Sequence, residues 1–326
     1  MNRFLPSKPW LPNALLLPIS LALSLIVAAC SPSKISVASA GDNAVATQEA
    51  TITIATMPAD PDPALWVLKD DDTTIYLFGT VHILKPGLSW FDEAVKDAFD
   101  ESEELVTEML DPDPAEMVKV VNDLAIDKTG ISLRDKLTPE DRADYEAAMA
   151  ELKVPVASFD PMDPWFASVT MSLIPLVQAG YDANKGVEDD LTASAKVKGM
   201  KLVGLETPRE QLGFFDNLPE DVQIRFLNFT VDSLGEVADG MENMVAQWAL
   251  GNTDALAELM NAGLDEKILY ETLLVRRNAN WAKWVEKRME QPGTVFLAVG
   301  AGHLAGEGSL QAQLEKKGFV INRIEY

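Results

Sequence analysis

The chain has two histidines, and both fall in the same local pattern. His82 closes Gly79-Thr80-Val81-His82 behind the apolar run IYLF, and His303 closes Gly300-Ala301-Gly302-His303 behind VFLAV. Each reads as strand, glycine, two small residues, imidazole. A buried parallel strand delivers a residue to the carboxyl edge of its sheet, where open α/β folds keep their sites. A glycine there lets the backbone turn sharply or approach a ligand closely. Two more apolar runs end in carboxylates, Glu108 after Leu105-Val106-Thr107 and Glu206 after Lys201–Leu205. Four strand ends therefore present His, Glu, Glu and His. Two imidazoles with one or two carboxylates suit a divalent transition metal, namely manganese, cobalt, zinc or iron, with positions open for water.

On this reading His82 and His303 are metal ligands, and Glu108 is a third ligand or the general base. A bound ion would bring the pKa of its water toward neutrality and polarise a scissile carbonyl. Arg277 is a candidate for holding a substrate carboxylate or a developing oxyanion. Each residue also has a plainer reading. A histidine at a strand end can be a hydrogen-bonded loop residue, Glu206-Thr207-Pro208 can simply open a helix, and Arg277-Asn278 can decorate one. The repetition of one motif around both histidines weighs against the plain reading for that pair. Gly300 to Ala305 also matches the outline of a dinucleotide-binding fingerprint, with Glu325 as its acidic residue, but Gly79 to His82 lacks the glycine pattern. No H-E-x-x-H, G-x-S-x-G or phosphate-loop motif occurs.

The elements that must position these residues are legible in outline. Leu65–Leu68 and the β-branched, aromatic run Thr73–Phe78 read as strands about an Asp70-Asp71-Asp72 turn. Residues 90 to 100 repeat apolar positions at helical spacing, and Leu105–Thr107 follows as a brief strand. Strand, helix, strand is a βαβ unit and predicts parallel pairing. Residues 112–290 read as mostly helical. Thr138-Pro139 and Asp163-Pro164 mark helix starts, Lys201–Leu205 is a strand, and a late helix carries Arg276, Arg277, Asn278, Trp281 and Trp284. Strand 294–299, a helix near 309–317 and strand 319–324 close the chain. The expected fold is α/β: a mostly parallel, mixed central sheet, with a large helical insertion (roughly 112–290) covering a cleft.

The first 29 residues read as an export signal. A basic leader with Arg3 and Lys8 precedes an apolar run from Leu15 to Ala29, short for a membrane-spanning helix, which needs about twenty residues. The chain's single cysteine, Cys30, follows Val27-Ala28-Ala29, as in a bacterial lipobox, where the cysteine is lipidated. With Cys30 used in this way, no thiol remains for a disulfide or a thiolate metal site. Residues 30–63 read as a flexible tether, rich in Ser, Ala and Thr and then in proline, before a domain spanning 64–326. The chain is thus expected to be exported and anchored through lipid facing the periplasm. Ser31 lacks the charge associated with inner-membrane retention, which points to the outer membrane. A formal charge of -24 argues against a nucleic-acid partner.

Taken together, the paired motifs resemble those of the TraB/GumN family, related to the Tiki proteins: an N-terminal G-T-x-H after a strand and a C-terminal G-x-G-H before the last helix. Glu108 in LVTEML, GVEDDL (186–191), LETPREQL (205–212) and Arg277-Asn278 match as well, so the likeness spans residues 64–326. It implies a metal-dependent peptidase or hydrolase acting on peptide or protein substrates at the cell envelope, with the histidines and a glutamate at its centre. Gly79, Gly300, Gly302, Glu206, Asn278 and Glu188 would support the site or touch substrate. Glu188 departs from the family, which more often has Asp there. A competing expectation is a lipoprotein that binds haem or a similar ligand between its histidines without turnover; methionine and aromatic walls near His82 and His303 would favour it.

Overall fold

The computed structural model describes residues 55–182, 185–262 and 267–326. The export signal, Cys30 and most of the tether lie outside the described residues. Six strands, β1 (Leu65–Lys69), β2 (Thr73–Thr80), β3 (Glu104–Met109), β4 (Lys201–Glu206), β5 (Gly293–Gly300) and β6 (Asn322–Ile324), form one mixed sheet. Their order is β4-β3-β5-β2-β1-β6. The strands β4, β3, β5 and β2 pair in parallel, while β1 and β6 add an antiparallel side. The fold is α/β.

Alternation along the strands explains why both faces are covered. Ile75 and Leu77 of β2, with Val295, Leu297 and Val299 of β5, belong to one apolar core. Phe78, Phe296 and Ala298, on the opposite face of the same strands, belong to another, much larger one. A central strand apolar on both faces has no side to offer water, which is why β5 sits in the middle of the sheet. That placement modifies the βαβ expectation. The strand β2, the helix α1 (Glu93–Glu101) and β3 form the predicted crossover, but β5, from the far end of the chain, lies between the two strands and pairs with both.

Helices fill the two long connections. Between β3 and β4 run α2 (Pro114–Leu124), α3 (Leu133–Lys136), α4 (Pro139–Glu151), α5 (Pro164–Gln178) and α6 (Val187–Lys198). Between β4 and β5 run α7 (Pro208–Asp216), α8 (Glu220–Ser233), α9 (Val237–Ala249), α10 (Thr253–Ala262), α11 (Lys267–Tyr270) and α12 (Arg276–Arg288). The helical stretch is therefore two lobes separated by a strand of the sheet. Thr138 caps α4 through Asp141 N–H, and proline opens α4 and α5 as predicted. Five residues of π-helix, Glu271–Val275, lead into α12; single-turn π segments recur at functional sites. Among the described residues, no helix is long and apolar enough to cross a membrane.

Both ends of the domain differ from expectation. Residues 55–63, expected as tether, are docked: Asp62 N–H donates to Ala249 O at 2.8 Å, Ala55 N–H to Asn243 Oδ1 at 3.1 Å, and Pro61 and Pro63 are buried. Prolines with fixed φ lose little entropy on docking. After α13 (Leu310–Glu315), only Asn322–Ile324 pair with β1, while Phe319 and Ile321 pack on the smaller core instead of extending the strand.

Candidate functional site

The parallel register of β2 and β5 sets Gly79 opposite Val299 and Thr80 opposite Gly300, so the twin motifs leave the same sheet edge side by side. The approach is close. A Cβ on Gly79 would lie 3.1 Å from Ala301 Cα. Trp248 of α9 donates its indole N–H to Gly79 O at 2.7 Å, tying the first motif to the helical layer.

His82 meets Glu188 through local backbone pairing. Val187 N–H donates to Val81 O and Leu84 N–H to Lys185 O, each at 3.0 Å, stapling the loop after His82 to the start of α6. Gly186 lies so near that a Cβ there would be 2.4 Å from His82 O. Glu188, the second residue of α6, then reaches His82 Nδ1 with Oε1 at 2.5 Å, and Thr80 Oγ1 donates to the same oxygen. Burial depresses the His82 pKa, but the Glu188 carboxylate outweighs it and the net shift is upward. His82 Nε2 has no partner although the residue is only 9 % exposed.

His303 has the opposite surroundings. Arg277 Nη1 donates to its Nε2 at 2.9 Å, so Nδ1 carries the proton and donates to Asn278 Oδ1 at 2.7 Å. Asn278 is itself oriented by donating from Nδ2 to Gly308 O at 2.8 Å. The Trp281 ring lies 4.4 Å from the imidazole. Burial first, and the neighbouring guanidinium second, push the His303 pKa down to about 3.

Arg277, 2 % exposed, is the hub. Its Nη2 donates to Glu108 Oε2 at 2.6 Å and Glu206 Oε2 at 2.8 Å, its Nε to Glu206 Oε1 at 2.9 Å, and its Nη1 also to Leu273 O at 3.1 Å. Leu273 belongs to the π segment, which gives that segment a purpose. All N–H groups of the guanidinium are engaged, so Arg277 stands here as a central tie, with none left free for an oxyanion. Glu108 further accepts from Gly300 N–H at 2.8 Å and from Gln211 Nε2 at 3.1 Å. Burial pushes Glu108 upward, but Arg277, then the two histidines and the Gly300 N–H, bring it down to about 2. Burial raises Glu206 despite Arg277. Glu206 also accepts from Trp281 Nε1 at 3.0 Å, while Thr207 beside it caps α7, so this segment both feeds the hub and begins a helix.

The sequence-predicted residues thus converge: Glu108, Glu206, Arg277, Asn278 and His303 form one network, and His82 with Glu188 forms a dyad beside it. A divalent ion held by His82, His303 and Glu108 does not fit this arrangement. The His303 Nε2 lone pair accepts from Arg277 and Glu108 Oε2 accepts from Arg277 and Gln211, which leaves one lone pair on Glu108 Oε1 beside the Gly300 N–H, and the ion would sit against a guanidinium. Among the described residues, no group of three or more His, Cys, Asp or Glu is placed to hold a metal. The open atoms are instead His82 Nε2, Glu188 Oε2 and Gln211 Oε1. Gln211 and Thr80 were not singled out from sequence; both lie within the matching stretches, but a glutamine or threonine there carries no chemical signal of its own.

His82 stands between two cavities. One has apolar walls from Met244, Leu256, Met260, Leu273 and Leu274 and reaches Arg277 and His303. The other is lined by Glu108, Asp111, Glu188, Asp189 and Gln211.

A model of the TraB/PrgY/gumN family matches residues 64–323. The uncharacterized protein YbaP of Escherichia coli (strain K12) is 24% identical over 183 residues, covering 56% of this chain and 68% of that protein. An uncharacterized protein of Treponema pallidum (strain Nichols) is 21% identical over 269 residues, 77% of this chain and 80% of the relative. No solved structure matches.

Proposed function

The chain belongs to the TraB/PrgY/gumN family, and from that premise we propose that it is a hydrolase of peptide or protein substrates in which His82 is the base. The observation that carries this is the buried imidazole whose Nδ1 is paired with Glu188 while Nε2 is unpartnered, in a residue that lines both cavities. Nε2 takes a proton from water as the oxygen attacks the carbonyl carbon, Glu188 stabilises the imidazolium, and the proton then passes to the leaving amine. The Arg277 hub fixes Glu108 and His303 and gives the floor of the site its rigidity. No step is assigned to a metal, because the expected ligands are otherwise engaged.

The test is a peptide-library digest by the full-length protein beside His82→Gln, with elemental mass spectrometry on both. Loss of cleavage in the variant, with unchanged unfolding and no bound transition metal in the parent, supports the reading. Cleavage that survives His82→Gln refutes it. A non-catalytic ligand carrier is a second reading, favoured by Met244 and Met260 in the wall beside His82; a Soret band that forms on haem titration and vanishes in His82→Ala would establish it. The proposed envelope location rests on the leader and Cys30. Labelling with a palmitate analogue, present in the parent and absent in Cys30→Ala, tests the anchor.

A further inference from the structure

The two cavities beside His82 differ in chemistry. The first is walled by methionine and leucine side chains, which take an apolar group and adapt to its shape. The second has carboxylates from Glu108, Asp111, Glu188 and Asp189 and no lysine or arginine among its described lining residues, although Arg277 pairs with Glu108 and Lys196 Nζ lies 3.6 Å from Asp111, which leaves Glu188 and Asp189 as its carboxylates without a basic side-chain partner from Lys or Arg. An acidic lining alone means little, but this one also contains orphaned acceptors. Gln211 is 3 % exposed and spends its amide N–H on Glu108, leaving Oε1 without a partner. Glu188 uses Oε1 on His82 and Thr80, leaving Oε2 buried and unpartnered. His82 Nε2 is kept for the attacking water, so the two open acceptors for a cation are Gln211 Oε1 and Glu188 Oε2. A buried acceptor without a donor is destabilising, so the shape of the deficit defines what belongs there: a group with several N–H donors and a positive charge.

We propose that the substrate straddles His82, with an apolar side chain in the Met244/Met260 chamber and an organic ammonium in the acidic cavity on the other side of the scissile bond. The ammonium is either the free amino terminus of a peptide or a lysine-type side chain; both offer the same N–H donors. The assignment rests on the hydrolase reading for the location of the bond, but the recognition itself can be measured without turnover. The long-range field agrees, since a chain of formal charge -24 draws cations toward an acidic mouth.

Four dipeptide amides test this on the full-length protein by calorimetric titration and, where cleavage occurs, by kcat/KM: Leu-Lys, acetyl-Leu-Lys, Leu-norleucine and acetyl-Leu-norleucine. The uncharged acetyl-Leu-norleucine amide is expected to bind at least about tenfold more weakly than the best of the others. Leu-norleucine against acetyl-Leu-Lys tells which ammonium is read. Asp111→Lys, a change at an exposed residue of the mouth, should weaken the charged peptides about tenfold and leave acetyl-Leu-norleucine amide within twofold. If all four bind within twofold of one another, the inference fails, while His82-dependent cleavage would leave the hydrolase reading standing. One equivalent of transition metal lost together with peptide binding on chelation would assign the open acceptors to an ion and also overturn the inference. Ammonium-selective binding without cleavage would uphold the pocket and remove the hydrolase.

Discussion

Arg277→Met keeps the reach of the side chain and removes its charge, which isolates the electrostatic part of the hub. In the parent, Glu108 and Glu206 share one guanidinium at 2.6 and 2.8 Å in a site where the arginine is 2 % exposed. Removing one partner of a buried ion pair costs about 3–5 kcal/mol, because the remaining charge is left desolvated. For a domain of this size that corresponds to a fall in Tm of roughly 6–20 °C. The pH dependence separates this account from simple loss of packing. In the parent Glu108 is held down to about 2, so its share of stability is present above the unfolded value of 4.5 and is lost only as pH falls from there toward 2. Without Arg277 the burial of Glu108 is opposed only by the two histidines and the Gly300 N–H, and its pKa rises, so the variant is relieved by protonation that the parent does not need.

His303 adds a change of the same sign. Its pKa is low partly because of Arg277, so the variant tolerates protonation there more readily. The stability gap between parent and variant should therefore narrow as pH falls from 7.5 to 5. Urea unfolding followed by tryptophan fluorescence at both pH values measures it. Adding Glu108→Gln to Arg277→Met should recover about 1–2 kcal/mol at pH 7.5, since one stranded charge is gone. A gap below about 1 kcal/mol at pH 7.5, or one that is constant or widens toward acid, would refute the reasoning.

With two histidines in the chain, proton NMR should show one imidazole titrating above 6.5, assigned to His82 by its loss in His82→Gln, and one unchanged down to pH 5. Glu188→Gln removes the charge that opposes burial, so His82 should then titrate below 6.5, and any cleavage should shift its acid limb the same way; an unmoved titration would contradict the dyad. In the parent, His303 is neutral when folded but binds a proton below 6.5 when unfolded, so stability should fall by about 1.4 kcal/mol per pH unit at most between 6.5 and about 3. That slope should flatten in His303→Asn, as read by chemical denaturation. Gly186→Ala places a Cβ 2.4 Å from a backbone oxygen and should cost about 1–3 kcal/mol or dislodge His82, whereas in Gly302→Ala the obstruction is the flexible end of Met260 and the protein should fold with a loss below about 1.5 kcal/mol; equal losses would show that the close approach at Gly186 is not what holds His82.

The strand-end logic carried far in the sequence because it depends on local patterns: Thr73–Phe78, Leu105–Thr107 and Val295–Val299 are apolar at the spacing of buried strands, and the chemistry follows each one. What it could not supply was strand order, since the place of β5 between β2 and β3 is a long-range choice made by burial on both faces. Nor could it supply the partners of the charged residues. Arg277 has the same residue type whether it decorates a helix or ties two glutamates together, and only the close packing of β3, β4 and α12 decides between them. The tether failed at its last residues for a related reason: a proline-rich segment looks the same in solvent as it does docked against α9.

The twin motifs show most clearly where identity of pattern stops short of identity of role. Both histidines leave the same edge of the sheet from adjacent parallel strands, and both are buried, so sequence and backbone treat them alike. Their neighbours do not. A carboxylate from α6 faces Nδ1 of His82 and raises its pKa, while a guanidinium from α12 faces Nε2 of His303 and lowers it. One imidazole keeps an open nitrogen with basic character; the other is neutral with both nitrogens engaged. Environments that push paired titratable groups in opposite directions separate base from support, and here the separation comes from two helices that belong to different lobes of the fold. A duplicated strand–glycine–histidine unit can thus yield one reactive residue and one brace, with the difference written in the segments inserted between them.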